Sequence, residues 1–122
     1  MKEHKRILVI EDDNDTRELL QELLEVEGYD VDTAANGKDG LAKLRTSATP
    51  SMILLDLAMP VMDGCAFRQY QQNDPKYSKI PVVILSADDH LDTKQMFLGA
   101  VGLLKKPIDL TQILRAVHKY AS

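Results

Sequence analysis

Three short apolar runs limit the fold more than anything else in the sequence: Ile7-Leu8-Val9-Ile10, Met52-Ile53-Leu54-Leu55 and Val82-Val83-Ile84-Leu85. Each is too short for a buried helix, is rich in Ile, Val and Leu, and shows no alternation with polar residues. Strands covered on both faces read this way, and such strands belong to parallel sheets. Parallel neighbours need crossover connections, so helices are expected between the runs.

The intervening segments have helical spacing. Leu19, Leu20, Leu23 and Leu24 make one apolar stripe on a helix from about Asn14 to Glu27, with Gly28 as its stop and Asp15 with Glu18 as a capping box. Tyr29 to Ala34 reads as a second strand. Asn36-Gly37 then opens a helix with Leu41, Leu44 and Ala48 on one side, ending before Pro50. A third helix is expected from Asp63 to Asn73, because Asp74 precedes Pro75 and is pushed out of helical geometry. After the 82–85 strand come a short helix over about Asp89 to Leu98 and a brief strand, Gly102-Leu103-Leu104. The last helix carries Leu110, Ile113, Leu114 and Val117, with Asp109 as cap and Gln112 reaching back. Five strands and five helices in alternation predict a doubly wound α/β sandwich with a five-stranded parallel sheet and right-handed crossovers.

With 122 residues the chain fits one domain, residues 1–122 with a core of about 7–120, and no sequence is left over for an output domain. Its 19 acidic against 15 basic side chains give no basic stripe, which argues against direct DNA binding. The single cysteine, Cys65, the polar start and the lack of a long apolar run predict a cytoplasmic protein without membrane insertion.

The chemistry gathers where strands end. Asp56 closes the second apolar run and Glu11-Asp12-Asp13 closes the first. In an open parallel sheet the carboxyl ends of adjacent strands form the ligand crevice, so these acids are expected in one pocket. Asp12 and Asp56 are hard oxygen ligands of the kind that hold Mg²⁺ with a carbonyl, water and a phosphate oxygen. Lys106, at the end of the last strand, is a counter-ion for Asp56 or for a bound phosphate, and Ser86 brings a hydroxyl to the same rim. Taken singly, acids before a helix act as caps or solvated charge, Ser86 as a cap and Lys105-Lys106 as a solvated pair. Asp56 is different, because a carboxylate directly after a buried run is either paired or exposed at the rim. Met59, Met62 and Met96 read as packing or interface residues rather than ligands, Phe67 and Tyr70 as a packing pair, and Cys65 as an inert thiol. His4, His90 and His118 are too scattered to share a metal.

The residues resemble a response-regulator receiver domain of two-component signalling, of the stand-alone type, over essentially the full length. The match rests on Ile7-Leu8-Val9-Ile10-Glu11-Asp12-Asp13, Leu54-Leu55-Asp56-Leu57-Ala58-Met59-Pro60-Val61-Met62-Asp63-Gly64, Val83-Ile84-Leu85-Ser86-Ala87 and Lys106-Pro107. The resemblance implies a flavodoxin-like fold with strand order 2-1-3-4-5. It implies Asp56 as phosphoacceptor, with Mg²⁺ (Mn²⁺ as a substitute) on Asp12, Asp56 and the Ala58 carbonyl, and with Glu11 holding the metal mainly through water. Ser86 and Lys106 take the family's hydroxyl and lysine positions. The Lys106–Pro107 peptide is often cis by the family pattern. Gly64 is expected to permit the tight turn after Pro60. The usual switch aromatic is replaced by Leu103, so the switch is assigned to Ser86 and Leu103.

On this reading the chain accepts a phosphoryl group from a sensor histidine kinase or a histidine phosphotransfer protein. It then presents the helix near 89–98, the last strand and the last helix to a downstream protein. It is a monomer or weak dimer, and it catalyses only its own phosphorylation and dephosphorylation. One alternative is a degenerate receiver that binds partners without phosphorylation. A Mg²⁺-dependent aspartyl phosphohydrolase is disfavoured because Ala58 leaves no second carboxylate as general acid. A flavin-binding protein of the same topology is disfavoured because Glu11-Asp12-Asp13 repels phosphate.

Overall fold

The computed structural model describes residues 5–57, 61–87 and 99–121. The predicted sheet is present, with five parallel strands in the order β2-β1-β3-β4-β5. They are β1 (Arg6–Ile10), β2 (Asp30–Ala34), β3 (Met52–Asp56), β4 (Val82–Ser86) and β5 (Gly102–Lys105). Four helices lie among the described residues: α1 (Asn14–Val26), α2 (Gly37–Thr46), α3 (Gly64–Asn73) and α4 (Leu110–Tyr120). The helix expected over 89–98, together with Ala58, Met59, Pro60 and Met96, lies outside the described residues. No described helix is long and apolar enough to cross a membrane.

Successive strand residues point to opposite faces, so each central strand feeds two cores at once. Leu8, Ile10, Ile53, Leu55, Val82 and Ile84 pack with Leu41 and Leu44 of α2 and Phe67 of α3. Their neighbours Ile7, Val9, Met52, Leu54, Val83 and Leu85 pack on the other side with Leu20 and Leu24 of α1 and Ile113 and Val117 of α4. Two buried faces explain why these strands show continuous rather than alternating hydrophobicity.

Several local expectations need correction. The N-cap of α1 is Asp13, whose carboxylate accepts the Thr16 N–H at 2.9 Å; Asp15 sits inside the first turn, so the Asp15–Glu18 capping box is not the one used. Leu20 and Leu24 are buried, but Leu19 lies about 100° round the helix and is exposed. α2 stops at Thr46, which leaves Ala48 beyond the helix and exposed. Phe67 and Tyr70 do not form a packing pair, since Phe67 is fully buried and Tyr70 faces outward. The caps at Asn36, Asp63 and Asp109 accept backbone N–H groups, and Gly28 ends α1 with a positive φ. At the last cap Gln112 meets Asp109 through its backbone N–H.

α3 contains a polar pair that its sequence did not signal. Arg68 and Gln71 are both buried. Arg68 Nη1 donates to Gln71 Oε1 at 2.5 Å, and Gln71 Nε2 donates to the Tyr77 and Ile80 carbonyls at 2.9 and 3.2 Å. The amide thus ties the loop after α3 to the helix, and burial lowers the Arg68 pKa.

Gly64 is needed for proximity rather than for a turn. A Cβ there would lie 2.7 Å from the Asp56 carbonyl oxygen and 2.8 Å from Leu57 Cα, both main-chain atoms that cannot swing away. Gly64→Ala is expected to cost about 2 kcal/mol in urea denaturation by forcing the start of α3 off the end of β3. Among the described residues of this loop the positive φ falls instead on Val61, at 69°, an uncommon conformation for a β-branched residue. Val61 is 78% exposed, so little packing is at stake. Val61→Asn, which tolerates left-handed backbone, is expected to stabilise the fold by about 1 kcal/mol in the same measurement.

Candidate phosphoryl-transfer site

Strand register brings the acids together. β1 and β3 pair with Ile10 opposite Leu55, so the next residues, Glu11 and Asp56, leave the two strands side by side. Asp12 follows in the β1–α1 turn. The three carboxylates each place an oxygen within 4.8 Å of the others, although Glu11 and Asp56 are buried and only Asp12 is exposed. Lys106 closes the cluster just past β5, with its Nζ 2.7 Å from Glu11 Oε1 and 3.4 Å from Asp56 Oδ2. Its backbone N–H donates to the Ser86 carbonyl at 2.9 Å, so the last residue of β4 lies beside it. The Lys106–Pro107 peptide is cis, in line with the family pattern.

Crowding sets the protonation. Burial, then hydrogen bonds with Glu11 and Asp12, push the Asp56 pKa up to about 8, against a smaller pull from Lys106. Burial also opposes the charged form of Asp12, but hydrogen bonds from Asp56 and Glu11 outweigh it and its pKa lies below the ordinary value. A proton on Asp56 therefore serves to relieve the repulsion. Burial disfavours the charged form of Lys106 too, yet its hydrogen bond and charge interaction with Glu11, and then Asp56, raise its pKa above normal. A hard divalent cation suits this donor set, because it replaces the proton on Asp56 and neutralises charge on oxygens already converged.

Of the predicted site residues, Glu11, Asp12, Asp56 and Lys106 meet in one cluster. Ser86 is buried at the end of β4. Leu103 stands opposite Ile84 in β5, half-buried against the α2–α3 core. Ala58 lies outside the described residues. Cys65 is exposed, and burial of its thiol followed by the Asp63 charge raises its pKa. Arg17, which the sequence reading passed over, hydrogen-bonds the Glu11 and Asp12 carbonyls. Its only advance signal was a cation one turn into the helix that follows an acidic turn.

Comparison with known proteins agrees with the geometry. The model of the response regulator receiver domain matches residues 7–118. Sporulation initiation phosphotransferase F of Bacillus subtilis (strain 168) is 35% identical over 119 residues, covering 96% of this chain and 94% of that protein. The DNA-binding dual master transcriptional regulator RpaA of Synechocystis sp. is 39% identical over 93% of this chain. The chain spans 47% of RpaA, about half its length. The solved structure of chemotaxis response regulator CheY4 of Vibrio cholerae is 29% identical, with a TM-score of 0.87 over 97% of this chain and 99% of that one. The chain belongs to the response regulator receiver domain family of two-component signalling.

Proposed function

We propose that the protein accepts a phosphoryl group on Asp56 from a phosphorylated histidine of a sensor kinase or phosphotransfer protein. The observation that carries this reading is the buried Asp56 carboxylate at the end of β3, ringed by Glu11, Asp12 and Lys106. In the transfer an Asp56 carboxylate oxygen forms the new O–P bond as the N–P bond of the donor breaks. The bonding pair stays on the imidazole nitrogen, which then takes a proton. Asp12, Asp56 and the Ala58 carbonyl would hold Mg²⁺, or Mn²⁺ in its place, with Glu11 acting mainly through water. When bound, such an ion would offset charge on the phosphoryl oxygens and keep Asp56 ionised. Lys106 places a second positive charge on those oxygens, and the Ser86 hydroxyl donates to one of them.

An acyl phosphate adds negative charge and acceptor oxygens, which draw Ser86 inward. Leu103, opposite Ile84 in the neighbouring strand β5, repacks in response, and the surface of β5, α4 and the helix expected over 89–98 carries the change to a partner protein. On this reading residues 1–122 form one receiver domain without an output domain among them, acting as a monomer or weak dimer in the cytoplasm. Catalysis is confined to the protein's own aspartyl phosphate.

Intact mass after incubation with Mg²⁺ and a small phosphodonor tests the proposal. One added phosphoryl group, absent with chelator, is the expected result. No addition, even from candidate phosphohistidine donors, would overturn it in favour of a receiver that binds partners without phosphorylation.

A further inference from the structure

The turn between β1 and α1 carries two of the three carboxylates, and its main chain is fastened from several sides. The Glu11 N–H donates to the Ala34 carbonyl at 3.0 Å, which joins the turn to the end of β2. The Asp13 carboxylate is tied into α1 by the Thr16 N–H at 2.9 Å and the Thr16 hydroxyl at 2.6 Å. Arg17 holds the carbonyls between them. Its Nη1 donates to Glu11 O at 2.8 Å and Asp12 O at 3.4 Å, while Nη2 donates to the Asn14 side chain. Helical side chains lean towards the helix N-terminus, so a residue at this place in α1 aims its fork back at the turn.

We propose that Arg17 is a positioning residue for the cation site: by gripping the Glu11 and Asp12 carbonyls, it sets the angle at which their carboxylates meet Asp56. The inference rests on the Mg²⁺ reading above. One nitrogen of the permanently charged group, Nη1, reaches both carbonyls while Nη2 fastens the same plane to the Asn14 side chain, and a lysine ammonium, with a single nitrogen, does not reproduce that fixed orientation. Mg²⁺ requires near-ideal octahedral geometry, whereas Ca²⁺ accepts longer and more variable bonds. A loosened turn therefore penalises Mg²⁺ more than Ca²⁺.

The sign of the effect separates positioning from charge. Arg17 is a cation near a cation site, so by Coulomb's law alone its removal tightens binding of both ions. Positioning demands the reverse for Mg²⁺. Calorimetric titration of the full chain with Mg²⁺ and with Ca²⁺ would compare wild type, Arg17→Met, Arg17→Lys and Asp56→Asn. Both Arg17 variants are expected to bind Mg²⁺ roughly tenfold more weakly, with a loss for Ca²⁺ of less than about threefold. Melting of the metal-free proteins checks folding, and Arg17→Lys, which keeps the charge, decides the matter if Arg17→Met does not fold. Mg²⁺ binding by Arg17→Lys as tight as wild type, or equal losses for both ions, overturns the inference alone. A wild type that binds no Mg²⁺, or an Asp56→Asn variant that binds it unchanged, overturns the functional reading beneath it.

Discussion

Asp56→Asn is expected to abolish phosphoryl uptake and, without metal, to leave the protein more stable than the wild type. The two effects have one cause. The carboxylate that must be ionised to attack phosphorus is buried beside Glu11 and Asp12, where burial and its neighbours push its pKa up to about 8. A neutral amide of nearly the same shape keeps the packing and removes the repulsion, but supplies no nucleophile. Functional strain of this kind commonly costs stability.

The stability difference carries a pH signature. Below about pH 4, Asp56 is protonated whether folded or unfolded, and the variant gains little. Between about 4 and 8 the unfolded chain has released this proton while the folded chain still holds it, so the unfolded state binds fewer protons and wild-type stability falls as pH rises. Above about 8 both states are ionised and the difference levels off. At pH 7 the shift sets a ceiling of about 4 kcal/mol, and because local relaxation and water entry soften a burial penalty about 2 kcal/mol is expected, or roughly 5–10 °C in melting temperature. Mg²⁺ should cancel much of the gap by stabilising only the wild type. Parallel pH profiles of the two proteins in chelator would refute this account.

The legible parts of the fold and site share a physical reason. β1, β3 and β4 were readable because two helical layers bury both their faces, which forces unbroken Ile, Val and Leu. Asp56 was readable because a carboxylate following such a run has few places to go, and the β1–β3 register puts Glu11 next to it. Finer features depend on geometry that residue type does not encode. Asp13 and Asp15 both stand three residues before a hydrogen-bonding partner, and only the path of the turn selects Asp13 as the cap. Arg68 and Gln71 are residue types that usually face water, so their burial on the inner side of α3 had no sequence signature. Likewise the positive φ falls on Val61 and not on Gly64, whose smallness serves the contact with β3. That Lys106 lies closer to Glu11 than to Asp56 also emerges only in three dimensions, and it changes what the lysine is expected to do.

Lys106→Met is expected to shift stability in the opposite direction from Asp56→Asn. Glu11 is fully buried, and the Lys106 ammonium at 2.7 Å is its counter-ion. Breaking a buried pair by removing one partner leaves the other charge uncompensated, at a cost of about 3 kcal/mol. Melting of metal-free protein should therefore show a loss of roughly 10 °C, with a larger rescue by Mg²⁺ than the wild type shows, because the ion becomes the cluster's main positive charge. The two substitutions should not add. At about pH 9, where wild-type Asp56 is ionised, the neutral amide leaves fewer like charges around Glu11, so the loss of Lys106 should cost about 1 kcal/mol less in the Asp56→Asn background. A double-mutant cycle by urea denaturation in chelator measures that difference directly. Strict additivity would mean that Lys106 serves Glu11 alone, and that its 3.4 Å approach to Asp56 contributes nothing until a phosphoryl group arrives. Coupling of the expected sign would instead make the lysine part of one charge cluster before any phosphorylation, already balanced between the acid that anchors it and the acid that reacts.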